Sequence, residues 1–145
     1  MTALRSLKQL LEIRNLRADN LCRSLSEARA AAARASEEEM KASELHEIAA
    51  SRAAGNPVAD ELCKDGIVSG AELQDALMRQ SVLRSRKADA GVLLETRKLA
   101  RLAVQERAEQ AAADFSDAQK AVLRTEISIE TAEKRARVSR LDRNY

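Results

Sequence analysis

The stretch "RAAGNPVADELCKDGIVSGAEL", residues 52–73, holds three of the four glycines and the only proline of the 145-residue chain. Outside it Gly91 is the sole helix breaker, so the chain has one place at which to stop being a helix and turn. Gly55 stands where a left-handed residue commonly closes a helix, with Asn56 and Pro57 behind it. Ser69 and Glu72 fit a capping box, whose hydroxyl and carboxylate satisfy backbone donors that the first turn of a new helix leaves free; Val68 and Leu73 sit where a hydrophobic staple closes. These signals place helix one at about 3–54, a turn at about 55–69 and helix two at about 70–141. Inside the turn, "NPVADELCKD" has room for one short helical turn, with Asn56 as its cap and Pro57 at its first position.

Both flanks carry the spacing of coiled coil. From Leu4 a stripe runs through Leu7, Leu11, Arg14, Ala18, Leu21, Leu25, Ala28, Ala32 and Ala35 in alternating steps of three and four, which keeps one face toward a partner helix. Near "SEEEM" the pattern reads as a phase shift, resuming at Ala42, Leu45, Ala49 and Arg52. A second stripe runs Val104, Ala108, Ala111, Phe115, Ala118, Val122, Thr125, Ile129, Ala132 and Ala136. Two long amphipathic helices joined by a short break fold back on each other, and alanine at facing positions lets the backbones approach. The expected fold is all-α: a single domain, residues 1–145, in which two long helices form an antiparallel coiled-coil hairpin with the second helix longer.

Composition agrees. A third of the residues are charged, and one phenylalanine and one tyrosine are present, which leaves little bulky material for a globular core. No apolar run approaches the ~20 residues that cross a bilayer, and charges run through "MTALRSLKQLLEIR" where a signal peptide would be apolar. The expectation is a cytoplasmic protein without membrane insertion. Cys22 and Cys63 lie far apart along such a hairpin and are expected to be free thiols. Two cysteines and one histidine give no zinc spacing, so no metal and no cofactor are expected. A two-helix hairpin offers no enclosed interior in which to shift a pKa or exclude water, so no catalytic residues are expected and the chain reads as no enzyme.

Unequal arms make the termini informative. With one helix ending near 54 and the next starting near 70, facing residues have numbers summing to about 124, which sets Leu4 opposite Lys120. About 25 residues at ~1.5 Å each would then project on the order of 35 Å beyond the N-terminus, with Thr125, Ile129, Ala132 and Ala136 carrying the stripe onward. A frayed tail and a stripe covered by another surface are both open readings. "KRARVSRLDR", residues 134–143, holds five Lys or Arg against Asp142, and residues 79–101 hold seven against Asp89 and Glu95. Such basic segments suit an acidic protein surface, a solvated helix end or nucleic acid, the last being unlikely with almost no aromatic residue to stack bases. Ile13 and Leu16 fall well away from the first stripe on a helical wheel, and Met78 with Val82 points nearly opposite the early second one. These pairs are either incidental surface or partner contacts.

"LLEIRNLRADNLCRSLSEAR" at residues 10–29, a turn ending in "GIVSGAEL" at residues 66–73, a longer second helix and a total of 145 residues together resemble the FliJ, YscO and HrpO family of type III secretion stalk proteins. The resemblance covers the whole chain in layout and is sharpest in "LLEIRNLRADN", which is similar to the YscO and HrpO branch. The chain departs from it in being alanine-rich and glutamine-poor, which leaves flagellar or virulence branch open. Membership implies a cytoplasmic antiparallel coiled coil, peripheral to the secretion apparatus and similar to the central stalk of rotary ATPases. Its implied partners are the hexameric export ATPase, the cytoplasmic domain of the export gate and export chaperones. On that resemblance Met78, Val82, Ile13 and Leu16 would contact the gate or a chaperone. Ile129, Lys134, Arg135, Arg137, Val138, Arg140 and Leu141 would contact the ATPase. The alternative is an unrelated coiled-coil adaptor or homo-oligomeric scaffold.

Overall fold

A computed structural model describes residues 2–63, 66 and 68–145. Three helices follow in order: α1 (Thr2–Ala53), α2 (Pro57–Leu62) and α3 (Gly70–Arg143). No strand occurs among the described residues. The two long helices pair antiparallel, and the second is the longer. Contacts divide the chain into two units, Met1–Ala31 with Gln105–Tyr145, and Ala32–Val104.

In the first unit the stripe lies where its spacing puts it. Leu4, Leu7, Leu11, Arg14, Ala18 and Leu21 are all partly covered, and Leu25 is buried. Across from them Ala118, Thr125 and Ile129 are buried. The helices therefore bury a strip two residues wide, and their stability depends on it, because helices with such polar outer faces gain little from propensity alone. One polar layer interrupts the strip. The Arg14 guanidinium donates to the Ala121 carbonyl at 3.0 Å and to the Thr125 hydroxyl at 2.6 Å, and that hydroxyl donates in turn to Ala121 at 2.9 Å. Thr125 is 2% exposed, so sliding either helix would strand a buried donor and acceptor. Such a layer acts on register more than on stability.

The second unit corrects the sequence-based phase. No shift occurs at "SEEEM": steps of three and four continue from Ala35 through Glu39, Ala42, His46, Ala49 and Ala53, all partly or fully covered, while Leu45 is 54% exposed and Arg52 is exposed. Polar residues occupy stripe positions because each has a partner. Glu39 pairs with Arg101, and beside it Glu38 pairs with Arg97 at 3.0 Å. His46 lies against Gly91, where an added Cβ would sit 3.7 Å from the imidazole. The mid-helix glycine thus leaves space for a ring in a strip otherwise built of alanine and leucine.

The break at Gly55–Pro57 is also not where the chain reverses. Gly55 does not take the left-handed conformation expected of it; among the described residues Gly66 alone has positive φ, at 127°. α1 closes with the Ala54 amide on the Ala50 carbonyl, and α2 starts at once, capped by the Asn56 side chain accepting from the Ala59 amide at 3.1 Å with Pro57 in its first turn. α2 stays with the first arm: its buried Glu61 receives Arg79 of α3 at 3.3 Å. The first arm is thus a bent helix carried on to Leu62, and the reversal falls between Leu62 and Gly70. On the far side the Ser69 hydroxyl accepts the Glu72 amide at 3.1 Å, the serine half of the expected capping box.

Moving the reversal moves the register twice as far. The sequence-based register pairs residues whose numbers sum to about 124; Arg14 with Thr125, Glu39 with Arg101 and Lys8 with Glu133 have sums of 139, 140 and 141, which carries the partners of these α1 residues about fifteen positions further along α3. Lys8 meets Glu133 at 3.6 Å and Arg14 meets Thr125, so Leu4 lies far beyond Lys120 in register. From Lys134 onward every residue of α3 is exposed, although this register still sets Thr2, the first residue of α1, opposite about residue 138. The expected overhang of about 25 residues shrinks to the last five or so of α3.

Candidate interaction surfaces

Of the two sets of sequence-derived contact residues, this register displaces one member, Ile129. Ile129 is 9% exposed. It belongs to the strip between α1 and α3, because α1 reaches that far, and is withdrawn from the contact set proposed for the C-terminal end. Lys134, Arg135, Arg137, Val138, Arg140 and Leu141 are all exposed. Val138 and Leu141, 57% and 60% exposed, sit among five basic residues of α3.

Local bonds keep this run helical. Lys134 reaches back to Glu130 at 2.9 Å, an i to i+4 pair of the favourable acid-first orientation. The hydrogen bond from Lys134 and its charge hold the Glu130 carboxyl below the usual range. A lowered folded-state pKa contributes stability that is complete above the unfolded value and lost as pH falls through the folded one. Helical chemical shifts of residues 131–143 are therefore expected to weaken on acidification, with those of residues 18–28 holding. Arg140 and Arg143 in the last turn oppose the negative end of the helix dipole.

Ile13 and Leu16, each 64% exposed, and Met78 and Val82, 62% and 46% exposed, point away from the strip as their positions on the wheel require. Further exposed apolar residues escape a wheel drawn on the shifted phase. Leu45 falls on the stripe in that phase but is 54% exposed, Ile48 beside it is 49% exposed, and Ile127, 62% exposed, lies two residues from buried Ile129 and faces outward. Carrying strict three-and-four steps through Glu39 and His46 exposes Leu45 and Ile48; reading the polar pair as a break hides them.

Met78 and Val82 line a hollow of about 440 Å³ with Pro57, Leu83 and Arg86. Leu83 and Arg86 also border a second hollow of about 260 Å³ walled by Leu45, Ile48 and Ala49 of α1. Both are open grooves along helix surfaces. Among the described residues, no three His, Cys, Asp or Glu side chains gather to hold a metal ion, and no helix is long and apolar enough to cross a membrane. Cys22 and Cys63 are free, exposed thiols. Comparison with known proteins brings no match, either to a family model, to a curated protein or to a solved structure.

Proposed function

We propose that this chain is a non-enzymatic stalk or adaptor of a type III secretion export apparatus, linking the hexameric export ATPase to the cytoplasmic domain of the export gate and to export chaperones. The reading rests on the resemblance of "LLEIRNLRADN" and of the hairpin layout to the FliJ, YscO and HrpO family, with the YscO and HrpO branch favoured. The observation that carries it is the exposed run Lys134–Arg143, a stretch of helix that bears both apolar and basic side chains and outruns α1 at its end. In this proposal Val138 and Leu141 make apolar contact in the ATPase pore, while Lys134, Arg135, Arg137 and Arg140 steer association in a salt-sensitive way. The protein would work in the cytoplasm, peripheral to the apparatus.

Binding to purified export ATPase hexamer and stimulation of its hydrolysis test the reading. Full chain should bind and stimulate, and Val138→Asp with Leu141→Asp should remove both effects. A hexamer indifferent to the full chain ends the proposal. Met78, Val82, Ile13 and Leu16 are assigned to the gate or a chaperone. Replacing Met78 and Val82 with aspartate should leave melting within ~0.5 kcal/mol per site, as for other exposed positions, and weaken gate or chaperone binding at least about tenfold, a loss of ~1.4 kcal/mol. The alternative, a coiled-coil adaptor or homo-oligomeric scaffold, has one observation of its own: Ile127, Val138 and Leu141 are all exposed on α3. Light scattering showing a stable oligomer that Ile127→Asp dissociates would favour it.

A further inference from the structure

We propose that the groove bounded by Arg52 and Arg86 in the Ala32–Val104 unit docks an acidic amphipathic helix from a partner protein, laid along the hairpin as a third strand. The floor of the groove is aliphatic. Leu45, Ile48 and Ala49 of α1 face Leu83 and Ala90 of α3, and past the shared Leu83 and Arg86 the same trough continues to Val82, Met78 and Pro57. Its rims repeat one pattern on both arms. Leu45 and Ile48 are followed one turn later by Arg52, and Met78 and Val82 one turn later by Arg86. Each edge thus offers two exposed apolar side chains and then a guanidinium.

Charge decides what fits. Arg79 is engaged by Glu61 at 3.3 Å, but among the described residues neither Arg52 nor Arg86 has an ion-pair partner. Of the seven Lys or Arg in residues 79–101, Arg79, Arg97, Lys98 and Arg101 are held by Glu61, Glu38, Glu95 and Glu39, which leaves Arg84, Arg86 and Lys87 against Asp89. Guanidinium groups beside an apolar trough match carboxylates flanking an apolar stripe, and two side-by-side helices with a cleft between them accept the side-chain ridge of a third. A second copy of this chain is disfavoured, because a two-fold contact through this groove would set arginines of one copy against those of the other. The inference rests on the groove alone and holds whatever apparatus the chain serves.

The test uses the full chain labelled at leucine, isoleucine, valine and methionine methyls. It is titrated with two synthetic peptides of about three heptads that share a leucine and isoleucine stripe, one flanked by glutamate and the other by lysine. The glutamate peptide should shift the methyls of Leu45, Ile48, Met78 and Val82 and leave those of Leu10 and Ile13 in place. It should bind at least about tenfold more tightly than the lysine peptide and weaken as salt rises. Arg52→Glu with Arg86→Glu should reverse the preference while circular dichroism and melting stay unchanged. Equal binding of the two peptides, absence of shifts at those four methyls, or preference that survives the double reversal overturns the proposal. So does a dimer in light scattering that Ile48→Asp dissociates, since the groove is then filled by a second copy.

Discussion

A chain ended after Glu133 is expected to melt within a few degrees of the full protein, whereas one ended after Arg124 is expected to melt about 10 °C lower or more. The nine residues between the two ends account for the difference. Thr125 and Ile129 are buried and Ala132 and Glu133 are partly covered against α1. Their removal also strips Arg14 of its hydroxyl acceptor and Lys8 of Glu133. Losing one buried isoleucine and the bonds of a polar layer costs about 3–5 kcal/mol, and a domain of this size moves by roughly 3 °C per kcal/mol. Beyond Glu133 only exposed side chains and the solvent-exposed Glu130–Lys134 pair are lost, and the buried strip stays whole.

The same two truncations separate folding from function. Under the proposed role the chain ended after Glu133 keeps its hairpin and loses ATPase stimulation, because Val138, Leu141 and the basic residues are gone. A register built on the sequence alone puts the dividing point at Arg124 and would blame the overhang for what is a folding defect. Calorimetry and hydrolysis assays on both chains decide it. If the shorter chain melts like the longer one, Thr125 and Ile129 are not part of the strip; if the chain ended after Glu133 still stimulates, the exposed run is only a tail.

Much of the fold is legible because few devices build it. Helix ends are local, so Asn56, Pro57, Ser69 and Glu72 give the start of α2 and α3 to the residue. Leu4 to Ala35 and Val104 to Ala132 are legible because small and aliphatic residues recur there, broken only by Arg14, Phe115 and Thr125. Two things were not. Glu39 and His46 are polar, and a polar residue on a stripe looks like the end of the stripe until its partners, Arg101 and Gly91, are in view; those partners lie in a different helix and carry no local mark. The position of the reversal was hidden for a related reason. Gly55, Asn56 and Pro57 end one helix convincingly, but ending a helix and reversing a chain are different events, and the chain here bends first and turns later, between Leu62 and Gly70.

The candidate surfaces follow the same division. Outward positions of Ile13, Leu16, Met78 and Val82 depend on short-range phase, which is reliable within each stripe. Assigning Ile129 to an overhang depended on register, and register depends on where the turn is centred. The groove beside Arg52 and Arg86 required both, since it forms only when Leu45 and Ile48 are off the strip and Leu83 is opposite them.

Ile127 and Ile129 offer the sharpest single-residue comparison in the chain. They are the same residue two positions apart in one helix, so helix propensity, local charge and sequence context nearly cancel, and about 200° of helical rotation separates their faces. Ile129 is 9% exposed and Ile127 62%. Aspartate at 129 replaces buried methyl groups with a carboxylate at a position on the covered strip. The expected loss is about 3 kcal/mol or more. Aspartate at 127 enters water, and its cost stays near the ~0.5 kcal/mol helix-propensity difference. The pH dependence carries a second sign. Burial disfavours the charged form, so the folded-state pKa of the new carboxyl at 129 is raised, and its destabilisation should ease as pH falls below that value and grow as pH rises through it. At 127 no such dependence is expected. Equal melting temperatures for the two variants at neutral pH would mean that α1 does not reach Ile129, returning the longer overhang and with it the larger ATPase-facing set.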